Sequence, residues 1–254
     1  MRAEWTKLLT VPGTAWLLAA TIVLTVAVST AAAAATRCPA GTSCPVDTTK
    51  LSLTGVQVGQ AVVAILAVLG ISSEYSTGMI RATLTAMPRR AAVLAAKAAV
   101  TTGPVLAAAA LAVAGSLLAG RLILPGHGFT AARGFPLLSW ADGPVLRAAG
   151  SVLYLALIAL LSLGIATAVR DSAVAIGLVL ALLYLFPIVA SLAANPHWQR
   201  HLEQIGPMTA GLDIEATTGL RGLPLSPWAG LGVLAAWAAA ALLAGGLLLR
   251  LRDA

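Results

Sequence analysis

Residues 51–71, LSLTGVQVGQAVVAILAVLGI, followed at once by residues 72–90, SSEYSTGMIRATLTAMPRR, decide the fold class. The first run holds 21 residues and no charge. At about 1.5 Å per residue it is long enough to cross the roughly 30 Å hydrocarbon layer as a helix, which satisfies its own backbone hydrogen bonds there. The second run brings Glu74, Arg81, Arg89 and Arg90 and marks a return to water. Working outward, the same test finds five more uncharged stretches, at 14–35, 98–120, 148–169, 172–193 and 228–249. The expected fold is an all-α integral membrane protein whose six transmembrane helices form one unit over residues 1–254.

Composition agrees. Hydrophobic residues make up 59% of the 254 and charged ones 10%, against roughly 25% charged in soluble domains, which excludes an ordinary soluble enzyme. Sixteen Lys plus Arg against nine Asp plus Glu give +7. In this chain that excess maps onto loops between spans and does not call for a nucleic-acid partner. One set of ends carries Arg2, Lys7, Arg81, Arg89, Arg90, Lys97, Arg170, Arg250 and Arg252. The opposite set carries Arg37, Lys50, Arg121, Arg133, Arg147, Arg200 and Arg221, spread over longer loops. Cationic density therefore predicts both termini in the cytoplasm of a multi-pass protein. Trp16, Trp140 and Trp228 near span ends fit headgroup anchors.

The first span is too long for the apolar core of a cleaved signal, and five more spans follow it. Before it, Trp5, Leu8 and Leu9 share one helical face, while Arg2, Glu4 and Lys7 lie elsewhere. Residues 1–12 are thus expected to form an interfacial elbow helix, turned into the bilayer at Pro12 and Gly13.

The sequence lacks a phosphate-loop motif, H-E-x-x-H and G-x-S-x-G, so no catalytic site is expected and no cofactor is assigned to this chain. An ion-coupled carrier usually keeps Asp, Glu, His or Lys at mid-membrane, and none of the six stretches contains one. Gln57 and Gln60, beside Gly59, are the most polar intramembrane side chains and are expected to share a face, either packing helices together or lining a substrate path. His197 and His201, with Glu203, have helical spacing but too few ligands for a dedicated zinc site, so a solvated amphipathic turn is expected and no metal is assigned. Cys38 and Cys44 bracket PAGTS in a loop expected to face the oxidising side, which favours a local disulfide over two unpaired thiols.

In residues 72–97, Ser72 or Ser73 is expected to cap a new helix with Glu74 in its first turn. Tyr75, Met79, Thr83 and Met87 recur every four residues, and Glu74, Gly78, Arg81 and Thr85 take the other face until Pro88 ends the helix. Such an apolar face needs either a partner or the headgroup layer.

The run EYSTGMIRATLTAMPRR resembles the inner-loop motif of type-2 ABC-exporter permeases, particularly actinobacterial ones, and EWTKL at residues 4–8 resembles their elbow helix. The fourth span ending in Arg170, the fifth with Pro187, and LSPWAGL at 225–231 extend the resemblance over essentially the whole chain. Asp171 and Ser172 depart from the His and Thr more usual there. The resemblance implies a bacterial plasma-membrane subunit in which residues 72–87 hold a coupling helix. That helix docks through Glu74, Gly78 and Arg81, with Pro88, Arg89 and Arg90 at the membrane surface. It further implies a separate cytoplasmic ABC ATPase that binds ATP and Mg, a second permease copy or paralogue, surrounding membrane lipid, and short capping helices within 195–227. The rival expectation is a non-transporting membrane scaffold.

Overall fold

The computed structural model describes residues 12–39, 44, 46–76, 90–130, 135, 143–192 and 195–251. Residues 1–11 of the elbow expected over 1–12 and most of the 72–90 loop, including Gly78, Arg81, Pro88 and Arg89, lie outside them. Trp140 does as well.

Among the described residues there are helices and turns but no strand. The first helix, α1, runs Pro12–Ala35 and the short α2 runs Thr48–Leu53. Helix α3 spans Val56–Ser76, and α4 spans Arg90–Ile123 with a 3-10 turn Leu124–His127. Next come α5 (Pro144–Val169), α6 (Ser172–Leu180), a π turn (Ala181–Leu185) and α7 (Phe186–Ser191). The chain then forms α8 (Pro196–Ile205), α9 (Pro207–Leu212), a 3-10 turn at Asp213–Glu215, another at Leu220–Gly222, and α10 (Pro227–Leu251). Six stretches are long and apolar enough to span a membrane: Gly13–Ala35, Thr48–Ser73, Arg90–His127, Pro144–Val169, Ser172–Ser191 and Pro227–Leu251. This fits a multi-pass membrane protein. Each overlaps a stretch read from the sequence, and α4 begins eight residues earlier than the uncharged run, enclosing the buried Lys97.

Alternation of the spans gives the bundle two ends. The disulfide end collects the described residues of 36–55, the 3-10 turn after α4, the start of α5 and everything from α8 to Ser226. The opposite end collects Ser76, Arg90, Arg170 and Leu251. Helix α5 is the hub, packed against α3, α4, α6 and α10, and it contributes Tyr154, Leu155, Ile158 and Leu161 to the core.

Small residues set the crossings, because without a water-driven force between helices close van der Waals approach has to hold them. A Cβ built on Gly164 of α5 would lie 2.5 Å from the Ala241 carbonyl carbon of α10, and one on Gly245 would lie 2.7 Å from the Gly164 oxygen. On α1, Thr21, Thr25 and Ser29 are buried at four-residue intervals. Ser29 accepts from the Gly55 N–H at 3.0 Å, which ties α1 to the turn between α2 and α3.

Breaks in the helices have local causes. Pro187 has no N–H to give and its ring crowds the preceding turn, and the helix widens into a π turn at Ala181–Leu185 just ahead of it. Arg170 ends α5 in the left-handed region at φ 65°, donating its N–H to the Ala166 carbonyl at 2.9 Å. Asp171 then caps α6 by accepting from the Val174 N–H at 2.8 Å, which makes this connection very short. One expectation is corrected here. Ser72 and Ser73 do not cap a new helix, because α3 continues without a break to Ser76 and Ser72 is buried within it.

Candidate functional site

At the disulfide end, residues from five elements converge on one polar cluster. Asp47 starts it as the N-cap of α2, with Oδ1 accepting from the Thr49 N–H at 3.0 Å and the Lys50 N–H at 3.1 Å. The same carboxylate reaches 170 residues along the chain. It accepts from the Thr217 hydroxyl at 2.7 Å and the Thr218 N–H at 2.8 Å, and from the Thr217 N–H at 2.5 Å. Partial burial alone would raise its pKa, but the donors Thr217, Thr218 and Lys50 together hold it below the ordinary value of 3.8. This carboxylate clasps the loop before α10 to the loop before α2.

The clasp holds down the 3-10 turn Asp213–Glu215, which packs onto α5 and α10. Ile214 fills the notch left by Gly150, and Gly211 of α9 lies against the Tyr154 ring, where any side chain would collide. Glu215 is 2% exposed and its Oε1 atom is buried without a hydrogen-bond partner. Burial pushes its pKa well above the ordinary range, with Lys50 opposing the rise and Asp47 adding to it. Asp213 is raised to about 6 by burial, with Lys50 opposing and Glu203 adding. Its Oδ2 atom is likewise buried and unpartnered.

Beneath the turn, the fully buried Tyr154 hydroxyl donates to Gln60 Oε1. The Tyr184 hydroxyl, delivered by the π turn, donates to the Gln57 carbonyl. Arg147, one turn before Gly150 on α5, is 8% exposed, with Nε and Nη1 buried and unpartnered. The result is a polar chain leading from the Asp47 clasp to Gln60 in the core.

The two glutamines part company here: Gln60 is fully buried against Tyr154, whereas the Gln57 side chain is exposed, so they do not form one polar face. Cys38 and Cys44 are joined, with Cα atoms 6.0 Å apart. The bridged loop is held by the Cys38 N–H donating to the His127 carbonyl at 2.9 Å. His197 and His201 stack edge-on at 4.6 Å on α8, and Glu203 accepts from Gln199 instead of facing them.

At the opposite end, Arg90 opens α4 and donates from Nη1 to the carbonyls of Leu249 at 2.5 Å and Arg250 at 3.3 Å. A guanidinium on the last carbonyls of α10 is favoured by the negative end of that helix. The Arg170 guanidinium carbon lies 5.6 Å from the Tyr75 ring centroid, joining the ends of α3 and α5. Glu74 lies in the last turns of α3, so the segment assigned to docking leaves the bundle at this end. An apolar groove of about 500 Å³ opens between α4 and α10 here, flanked by Leu94, Ala98, Leu243, Gly246 and Arg250.

The buried acidic pair is what sequence reading missed. Asp213 and Glu215 sit in LDIEATTG, alternating with Leu212, Ile214 and Ala216, and that local alternation was the available signal. It cannot say that the segment folds back onto α5. The argument from absent intramembrane charge is corrected accordingly. The six uncharged runs hold no carboxylate, but the turn that carries the buried Glu215 is packed against two of them and Lys97 is buried inside α4.

No family model matches the chain, and no curated protein matches it.

Proposed function

We propose that this chain is the transmembrane subunit of an ATP-driven exporter of the type-2 ABC kind, forming the substrate pathway and coupling it to a separate ATP-binding subunit. The observation that carries the reading is the run EYSTGMIRATLTAMPRR between α3 and α4. It is supported by a six-span bundle and by a sequence without a phosphate-loop motif. Ser76, Arg90, Arg170 and Arg250 share one end of the bundle, and cationic density supports placing that end in the cytoplasm. ATP binding in the partner would shift the 72–87 segment, and the bundle would change its access because the two states hold that segment differently.

A second reading has one observation in its favour. Glu215 is a buried carboxylate of the type ion-coupled carriers use. Its neighbour Ile214 lies against Gly150, near the disulfide end of α5 rather than at mid-span, which favours the exporter reading.

Cysteine labelling of intact cells tests the proposal, since a loop on the wrong side of the membrane never meets a cytoplasmic ATPase. A Cys placed at Ser76 is expected to stay silent to an impermeant reagent, while Cys38 labels after mild reduction. The opposite pattern would reverse the orientation and remove the docking role.

A further inference from the structure

We propose that Glu215 is a proton-binding site, its carboxyl held protonated beneath the Asp47–Thr217 clasp, and that release of this proton to water loosens the disulfide end of the bundle. The inference does not depend on the ATP-driven reading.

The geometry carries it. An ionised carboxylate in a buried site needs a cation or several donors to offset lost hydration, and it otherwise neutralises by taking up a proton. Glu215 is 2% exposed, and its Oε1 atom has neither a donor nor solvent. Every neighbouring element offers few charges. Helix α2 presents Lys50, which is exposed, and the Asp47 cap, which repels a second negative charge. On α5 stand Arg147 and Tyr154, with the Tyr154 hydroxyl committed to Gln60. Glu203 of α8 faces Asp213, Tyr184 lies below, α9 has no titratable residue, and on α10 the described titratable group is Arg250 at the far end. The Oε1 atom of Glu215 has no hydrogen-bond partner among the described residues, so a proton is the counter-charge that atom can accept.

The clasp makes that proton consequential. Thr217 follows Glu215 by two residues, just past the end of the 3-10 turn, so anything that drives Glu215 toward water pulls directly on the three donors that Thr217 and Thr218 give Asp47. The signs follow from linkage. Glu215 and Asp213 have raised pKa values, so the closed end takes up protons and weakens as pH rises through those values, for Asp213 about 6. Asp47 has a lowered value, so its contacts hold at neutral pH and are lost as pH falls through a value under 3.8. The end is therefore most closed between those two limits.

The test uses the full chain in lipid nanodiscs. Infrared spectra at pH 7 are expected to show the carbonyl stretch of a protonated carboxyl that is absent in Glu215→Gln and retained in Asp213→Asn. Spin labels on Arg121→Cys and Arg221→Cys are expected to report a distance that lengthens or broadens between pH 5 and pH 9. In Glu215→Gln, which keeps the neutral shape, the part of that change above the Asp213 value of about 6 is expected to be lost. If Glu215→Gln removes no band, the residue is ionised and the proposal fails. A wild-type distance that ignores pH, or one that shifts equally in Glu215→Gln, removes the link to the clasp.

Discussion

Arg81→Glu is expected to leave membrane insertion intact and to abolish either capture of the ATPase partner or substrate-stimulated ATP hydrolysis. Arg81 follows Glu74 by seven residues, two helical turns, so a helix through this segment carries both on one face, away from Tyr75, Met79 and Met87. If that face lies only on anionic lipid, losing one basic contact costs about 1 kcal/mol and leaves hydrolysis unchanged. If it docks in a protein cleft, the reversal buries an unpaired charge at a cost of about 2 to 5 kcal/mol, roughly 30-fold or more in affinity. Size-exclusion chromatography of the co-expressed subunits, followed by ATP turnover, separates the outcomes. Full assembly and transport in the variant would leave the scaffold reading standing.

The second large effect is expected in the bundle itself. Gly164→Leu should prevent α5 and α10 from meeting, because even the first added carbon would sit 2.5 Å from the Ala241 carbonyl carbon and 2.6 Å from the Leu242 nitrogen, both backbone atoms. Overfilling a packed core costs about 1–3 kcal/mol when side chains can give way. Here the obstacle is helix backbone, so the cost should reach the top of that range or exceed it. Gly232→Leu on α10 is the matched control, since nothing lies within 4 Å of its added carbon. Thermal unfolding in detergent should show a large loss for the first variant and little for the second. Equal midpoints would mean that the α5–α10 crossing is not as close as described.

These two positions also show what the sequence discloses and what it withholds. Six spans were legible because bilayer thickness forces each crossing to be a long uncharged run, a one-dimensional property. Their ends were less so: Ser72 looks like a helix cap in isolation, yet α3 runs through it, because continuing an existing helix avoids the cost of nucleating a new one. Gly164 and Gly245 are ordinary members of an Ala- and Gly-rich run until the two helices are set side by side. The acidic cluster is the extreme case. Asp47, Tyr154 and Glu215 are separated by about a hundred and by about sixty residues, and only the fold of α5 against the 213–215 turn brings them together. The docking role proposed for Gly78 and Arg81 rests on sequence pattern and resemblance, and Arg90, one of the described members of that set, is engaged with the end of α10.

The central claim, a permease subunit that borrows its ATPase, is tested most directly by reconstituting the chain in liposomes alone and together with a phosphate-loop ATPase that co-purifies with it from its native membrane. The account predicts no vanadate-sensitive ATP hydrolysis from the chain alone and clear hydrolysis, stimulated by substrate, from the stoichiometric complex. Robust turnover by a preparation that mass spectrometry shows to contain only this chain would contradict it. So would a chain that leaves its native membrane with no ATPase subunit bound.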